Sequence, residues 1–441
     1  MSQTIVSPAP TASAADPGPA DLDSGTLRAR LASAWTALGH ALSGTPGRLR
    51  IVSGIAVLAS VLIAFGGGAA LRERSAALDD ASRASAHLIL IQGVQTKLVQ
   101  ADADATNSFL GFGLEPVNQR LEYIAAIKSA SHDLAVAAAG SQEDAAALGR
   151  TNADLTRFTG YIASARANNR LGEQVGANYL STANGLLFDS GGIVDQLDAR
   201  SLADQSTIDS AYTRAGHASW WLALVALAGL GLLVGAQAYL ARHSRRILNL
   251  PLVGATAAVL VALIVSAAAM ALAQTRAGDV RVGALQRAIH LSQSRVEAFS
   301  AKSTESLNLI QRGSSTAADP AWTKAINAAK SSLPSGNDAA ARSLAAYAAQ
   351  HAAINRTDVG GDWKTAVSQA ISFKKGSANV SFQAYADQTQ SALTSQANET
   401  KSGLSKAGNA LLPAGVLIVL FGLLAALAAW WGVTLRLDEY R

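Results

Sequence analysis

Four long apolar segments constrain the fold of this chain more than any other feature. They predict membrane spans at residues 50–71, 219–241, 250–273 and 411–433, and each contains a run of 21 to 24 residues without a charged side chain. At a rise of about 1.5 Å per residue, a 21-residue helix is about 31 Å long, which matches a hydrocarbon core of ~30 Å. The sequence therefore predicts an all-α membrane protein with four transmembrane helices.

Basic residues beside the spans predict how the chain lies in the membrane. Arginine and lysine near span ends are retained in the cytoplasm. Arginines precede the first span, occupy the short loop at 242–249 and follow the last span, at 434–441. We therefore expect both termini and this loop in the cytoplasm, and two large extracytoplasmic segments at 72–218 and 274–410. The loop, a candidate coupling element, contains Arg242, Arg245 and Arg246.

The two halves of the chain match one another at nearly constant offsets. Gly176 corresponds to Gly376 at an offset of 200, and Asp195 corresponds to Asp387 at an offset of 192. The shared spacing of whole segments predicts an internal duplication, in which each half consists of a span, an outer segment and a second span.

The composition of both outer segments predicts helices. Alanine, glutamine, leucine and charged residues dominate, and proline is nearly confined to the junctions. About 40 residues without proline lead away from the first and third spans, enough for a continuous helix of ~60 Å. Two shorter helices and a final long helix complete each segment as an antiparallel four-helix bundle, bundle A at 72–218 and bundle B at 274–410. Predicted turns at the bundle tips contain Gly113, Glu115, Arg312 and Gly313.

The ends of the two first helices resemble a known class of sensor domain. ADADATNSFLGFGLEP (101–116) and AKSTESLNLIQRGSS (301–315) are similar to the first-helix end of the four-helix-bundle sensor domains in bacterial chemoreceptors and sensor kinases. RRILNLPL (245–252) resembles the opening of a HAMP linker domain. A HAMP domain is excluded here, because the chain enters the next apolar segment at once.

The whole chain resembles the GlnX-type four-span membrane proteins of actinobacteria. The shared features are the span spacing, two helical outer segments, a very short central loop, a polar N-terminal tail and a terminus like WGVTLRLDEYR (431–441). The resemblance implies a signalling relay. Its partners would be an extracytoplasmic GlnH-like solute-binding lipoprotein for amino acids and a cytosolic PknG-like Ser/Thr kinase.

The two outer segments carry opposite net charge. Residues 72–218 contain 12 Lys+Arg and 17 Asp+Glu, a net charge of −5, whereas residues 274–410 contain 15 and 9, a net charge of +6. Opposite charge would attract the bundles to one another or steer a charged partner. Drift between duplicated halves is the alternative.

The sequence contains no signature of catalysis or cofactor binding. It has no cysteine, its seven histidines lack metal-ligand spacing, and no phosphate loop, nucleophile elbow or kinase signature is present. Carboxylates such as Asp102 and Asp104 are expected to be solvated on polar helix faces. We predict a non-enzymatic protein with no cofactor, no metal and no nucleic-acid partner. The spans also lack the charged residues of an ion pathway, which argues against a transporter.

Two further features are candidates for contacts in or beside the membrane. Gly231 and Gly235 form a GxxxG pattern that permits close helix packing, within the chain or in a homo-oligomer, and ordinary membrane-helix filler is the alternative. Residues 1–23 are predicted to be a disordered cytoplasmic tail and residues 24–44 an amphipathic helix. This helix would lie on the inner leaflet or dock a cytosolic partner. Its apolar stripe and flanking cations are Leu27, Arg28, Arg30, Leu31, Trp35, Leu38 and Leu42.

The sequence thus predicts a membrane sensor or signal relay without an output domain of its own. The small cytoplasmic portion would have to pass any signal to a separate protein. The alternative is a structural or scaffolding envelope protein with no sensing role, and ligand-dependent movement would distinguish the two.

Overall fold

A computed structural model describes residues 45–111, 115, 117–140, 142–171, 174–244, 250–311 and 315–438. The predicted tail and amphipathic helix at 1–44 lie outside these residues. So do five of the individually predicted residues, namely Gly113, Arg245, Arg246, Arg312 and Gly313.

The described residues form twelve α-helices and no strand. The helices of the first half are α1 (Thr45–Phe109), α2 (Val117–Gly140), α3 (Gln142–Arg170), α4 (Val175–Phe188) and α5 (Ile193–Ser244). Those of the second half are α6 (Leu250–Val280), α7 (Gln286–Ile310), α8 (Ser315–Ser332), α9 (Asp338–Val359), α10 (Trp363–Ala370), α11 (Ala378–Asn409) and α12 (Leu411–Asp438). A π-helical turn at Arg281–Leu285 joins α6 to α7.

Four helical stretches are long and apolar enough to cross a membrane. They are Arg50–Phe109, Val175–Arg242, Leu250–Ile310 and Ala378–Gly432. Helix α1 alone has 65 residues and is about 98 Å long. Because only ~30 Å of it fits in a hydrocarbon core, the rest must project beyond the membrane. The all-helical fold and the four apolar helices confirm the sequence prediction, and the orientation of the termini stays a prediction.

The end of the first outer segment differs from the expected single long helix, whereas the second outer segment ends in one continuous helix, α11 (Ala378–Asn409). In the first half, Gly191 has a φ of 79° in a turn that separates α4 from α5. In the second half, Gly376 has a φ of 82° in the turn before α11, whereas its predicted counterpart Gly176 lies inside α4. Left-handed φ angles favour glycine at both turns. The turn at Gly191 interrupts the predicted final helix of the first half, whereas the turn at Gly376 precedes the final helix of the second half. Gly176 and Gly376 both lie within two residues of a helix start, Val175 for α4 and Ala378 for α11, and the duplication stays a prediction.

The four apolar helices pack into one bundle. Helix α1 contacts α5 and α12, and α12 contacts α6. Their buried side chains form a common core that includes Ala59, Val225, Val259 and Ile418. Hydrophobic burial cannot drive helix association in lipid, so small residues that allow close packing matter most.

Close approach occurs where glycine faces a neighbouring helix. A Cβ atom built on Gly422 of α12 would lie 2.6 Å from Cβ and 2.9 Å from Cα of Ala64 in α1. A Cβ atom on Gly229 of α5 would lie 2.3 Å from Ile63 Cγ1. The contact at Gly422 involves backbone, which cannot move aside as a flexible side chain can.

We expect Gly422→Ala to destabilise the folded protein by about 1–3 kcal/mol, because α1 and α12 must move apart. The measurement is thermal unfolding in detergent micelles. Gly231→Ala is the matched control, since a Cβ atom there meets nothing within 4 Å. Equal stability of the two variants would contradict the close packing of α1 with α12.

Candidate functional site

The two outer segments pack against one another along α1 and α7. Val99 and Ala103 of α1 share an apolar core with Ala298 and Phe299 of α7. Conversely, two residues of the second half, Leu307 and Ile310 of α7, pack against the core of the first outer segment. We call this contact the α1–α7 interface and treat it as the candidate functional site, because it joins the two halves outside the apolar bundle.

A buried carboxylate lies at the centre of the α1–α7 interface. Asp102 of α1 is fully buried. Its Oδ2 accepts hydrogen bonds from Ser303 Oγ of α7 at 2.5 Å and from Asn184 Nδ2 of α4 at 2.8 Å. Asn184 Nδ2 also lies 3.2 Å from Ser303 Oγ. Three helices from both halves therefore meet at one side chain.

The hydrogen bonds of Asp102 offset only part of the free-energy cost of burying its carboxyl group. Among the described residues, its Oδ1 has no hydrogen-bond partner. Burial raises the pKa of Asp102 to about 6, against the opposing effect of the hydrogen bonds from Ser303 and Asn184. The carboxyl group can therefore gain or lose a proton near neutral pH, at a point where both halves touch.

A second buried polar cluster adjoins the interface within the second half. Glu305 of α7 accepts a hydrogen bond from Lys302 Nζ at 2.6 Å, and its other oxygen lies 2.8 Å from His351 Nδ1. The His351 ring stacks on Trp322 with centroids 3.6 Å apart. Burial alone would raise the pKa of Glu305, but Lys302 and His351 lower it to about 2. Glu305 is thus held as a carboxylate beside Ser303.

A third polar cluster lies inside the first outer segment. His87 Nδ1 of α1 is 2.7 Å from Asp204 Oδ2 of α5. Arg200 Nε of α5 is 2.5 Å from Asp144 Oδ1 of α3. The hydrogen bond to Asp204 raises the pKa of His87 more than burial lowers it. This cluster joins three helices of the same segment through charge.

A buried arginine joins the two halves where the outer segments meet the spans. Arg74 of α1 is 3% exposed. It donates hydrogen bonds to the Ala215 carbonyl oxygen at 2.9 Å and to Ser219 Oγ at 2.5 Å, both in α5. Its Nη2 also lies 3.5 Å from Gln274 Oε1 of α6. Arg74 is therefore a polar connection between the first, second and third apolar helices.

Net charge contributes little to the contact between the outer segments. Within the described residues, one ion pair joins the two halves, Arg281 Nη2 with Asp209 Oδ1 at 2.6 Å. Both side chains are largely exposed, and exposed pairs contribute about 0–1 kcal/mol. The interface depends on apolar packing and on the hydrogen bonds of Asp102.

The structure locates some of the sequence-predicted residues. Glu115 lies near the tip of the first segment, where its Oε1 accepts a hydrogen bond from Arg166 Nη2 at 2.9 Å. Arg242 is exposed near the end of α5. Gly231 and Gly235 have open space where a Cβ atom would lie, so no described helix of this chain packs closely against that position. None of these four residues belongs to the α1–α7 interface.

The expectation that Asp102 and Asp104 are solvated surface charges is wrong. Asp102 is fully buried, and Asp104 is partly buried, with a pKa that burial raises to about 8. One signal was available in the sequence. Asp102 lies four residues after Leu98 and three before Ala105, two apolar residues at helical spacing. The partners of Arg74 and Glu305 had no comparable signal.

The comparisons with known proteins bear on the first outer segment. Residues 77–213 match the family model described as an actinobacterial sensor domain. Neither a curated protein nor a solved structure gives a significant match. The matched region begins on α1 and ends on α5, so it contains Asp102, Asn184 and the His87 cluster. The match supports a sensory role for this protein.

We expect Asp102→Asn to change how stability depends on pH. Because burial raises the pKa of Asp102 to about 6, the contribution of this residue to folding is fully present below pH ~4 and is lost as pH rises through about 6. Asparagine cannot ionise. The free energy of unfolding of the variant should therefore rise relative to that of the wild type between pH 4 and 7, by roughly 2–3 kcal/mol. Thermal unfolding across this pH range checks the effect. Parallel curves would contradict it, and Asp387→Asn, which changes an exposed carboxylate, is the control.

We expect Glu305→Gln to destabilise the protein by about 3–5 kcal/mol, because Lys302 is left buried without its counter-charge. Denaturation in detergent measures the loss. Asp209→Asn is the control, since it breaks an exposed ion pair and should cost at most about 1 kcal/mol. Similar losses in both variants would show that the Glu305 cluster is not the stabilising element described.

Proposed function

We propose that this protein is a non-enzymatic transmembrane relay, which receives an extracytoplasmic cue on its outer segments and passes it to a separate cytosolic effector. The sensor-domain match supports the input side of this proposal. The observation that carries the mechanism is the continuity of α1 and α5, which run unbroken from the matched segment into the apolar bundle.

A continuous helix can carry a small displacement along its length. Helix shifts of ~1–2 Å at packed interfaces are a common form of switching. Helix α1 packs against α5 within its own half and against α7 and α11 of the other half. A shift of α1 therefore has to be accommodated by both halves together.

The contacts between the halves are consistent with the proposed duplication. Arg74 and Gln274 are 200 residues apart in the sequence and contact one another, and Asp102 contacts Ser303 at a separation of 201. Residues at equivalent positions of two repeats meet only near an axis that relates the repeats. We infer that the halves act as an intramolecular pair, with α1 and α7 beside this axis.

The resemblance to GlnX-type proteins supports a proposal for the cue and the effector. We propose an amino-acid cue, delivered by a GlnH-like binding lipoprotein, and a PknG-like Ser/Thr kinase as effector. The predicted cytoplasmic surfaces are the tail helix at 24–44 and the loop at 242–249. The competing proposal is a scaffolding protein of the envelope, for which the buried polar contacts would serve stability alone.

Distance measurements between spin labels test the relay. The chain has no cysteine, so in Ala238→Cys with Trp431→Cys the spin labels attach only at these two exposed sites, one on α5 and one on α12. In lipid nanodiscs, we expect millimolar amino acids, with the binding lipoprotein present, to shift the distance by about 1–2 Å. Ser303→Ala should reduce the shift, because it removes the hydrogen bond to Asp102, whereas Ser331→Ala on an exposed surface should not.

Two outcomes would count against the relay. A distance that never responds to any of the twenty amino acids would favour the scaffold. A response that Ser303→Ala leaves intact would keep a sensory role but would rule out transmission through the α1–α7 interface.

A further inference from the structure

An apolar groove opens between α1 and α5 at the end of the bundle where α1 begins and α5 ends. Its volume is about 430 Å³, and its lining includes Ile51, Ile55, Gly231, Leu232, Gly235 and Tyr239. A Cβ atom on either glycine would meet nothing within 4 Å. The two glycines therefore form the floor of an open groove, where a larger side chain would fill it.

The mouth of this groove is basic. Arg50 directly precedes Ile51, Arg242 follows Tyr239 by three residues, and both arginines are exposed. The sequence contains no Asp or Glu between residues 24 and 72 or between residues 210 and 278. No acidic side chain along these stretches can neutralise the two arginines.

We propose that this groove binds an anionic phospholipid, with an acyl chain over Gly231 and Gly235 and the phosphate at Arg50 and Arg242. The apolar groove offers packing to any acyl chain, and lipid tails are as apolar as the helix, so the groove alone cannot select a lipid. The preference for an anionic lipid comes from the contact between the two arginines and the headgroup. Guanidinium groups match phosphate geometry, and basic residues near the membrane surface attract anionic lipid.

A second copy of the chain fits this groove less well than a lipid does. A symmetric pair formed through the glycine face of α5 would bring Arg50 and Arg242 of both copies to the same end of the contact. Like charges at one interface repel, whereas a phosphate headgroup neutralises them.

The second half has a comparable groove that serves as an internal reference. It lies between α6 and α12, has a volume of about 410 Å³, and includes Ala255, Leu424 and Trp431 in its lining. Ile55 and Ala255 are 200 residues apart, and Tyr239 and Trp431 are 192 apart, the offsets of the proposed duplication. Here the chain following α12's apolar run contains Asp438 and Glu439 beside Arg436 and Arg441. We therefore place the preference for anionic lipid in the α1–α5 groove.

Native mass spectrometry of the full chain, released from nanodiscs of equal phosphatidylglycerol and phosphatidylcholine, tests the proposal. We expect retained phosphatidylglycerol in excess of phosphatidylcholine. Arg50→Gln with Arg242→Gln should lower this excess roughly fivefold for each arginine removed. Gly231→Leu with Gly235→Leu should lower the number of retained lipids, because the leucines fill the groove.

Matched controls lie near the end of α6, at the far end of the apolar bundle from the groove. Arg276→Gln removes an exposed arginine there, and Gly278→Leu adds a side chain where a Cβ atom meets nothing within 4 Å. Neither should change the lipid ratio or number.

Three results would overturn the proposal. They are equal retention of the two lipids by the wild type, an unchanged ratio in the arginine variant, and a lipid-free dimer that the leucine variant dissociates. The last would assign the groove to a second copy of the chain. The arginine variant alters only exposed side chains, so it remains informative if the leucine variant fails to fold.

Discussion

The packing of helix α1 against both halves is the constraint on which the rest of the structure depends. This helix contributes to the apolar bundle, to the core of the first outer segment and to the α1–α7 interface. Its 65 residues form one helix without a break between the outer segment and the apolar bundle, so the two parts of α1 are expected to move together. Any ligand that favours one position of α1 therefore acts on the apolar bundle as well, and this coupling underlies the proposed relay.

Buried polar groups decide how α1 sits against its neighbours. Apolar packing alone would tolerate several registers between two alanine-rich helices. Asp102 and Arg74 each have few partners available, and burying either without them costs free energy. The hydrogen bonds of Asp102 and Arg74 therefore favour one register at two heights along the same helix. Among the described residues, Asp102 Oδ1 and Arg74 Nε both lack a hydrogen-bond partner, so each contact keeps part of the cost of burial.

Sequence reasoning was strongest where a pattern is local. A long run of apolar residues is enough to predict a membrane-spanning helix, because a helix satisfies every backbone polar group by internal hydrogen bonds. The four apolar helices and the all-helical fold were predicted on this basis and are confirmed. The reasoning failed at Asp102, which was assigned to a solvated face, and at the final helix of the first outer segment, which the turn at Gly191 interrupts. In both cases the deciding neighbours are distant in sequence or belong to a turn of unexpected position.

By itself, the sequence determined that this chain is helical, that four of its segments are suited to a membrane, and that basic residues gather at one end of the spans. These properties follow from each segment's own side chains. Tertiary structure alone decided that Asp102 meets Ser303, that Arg74 of α1 contacts both α5 and α6, and that Gly231 and Gly235 line a groove instead of a helix contact. Such contacts join residues up to 201 positions apart, and hydrogen-bond geometry, which no local pattern encodes, selects them.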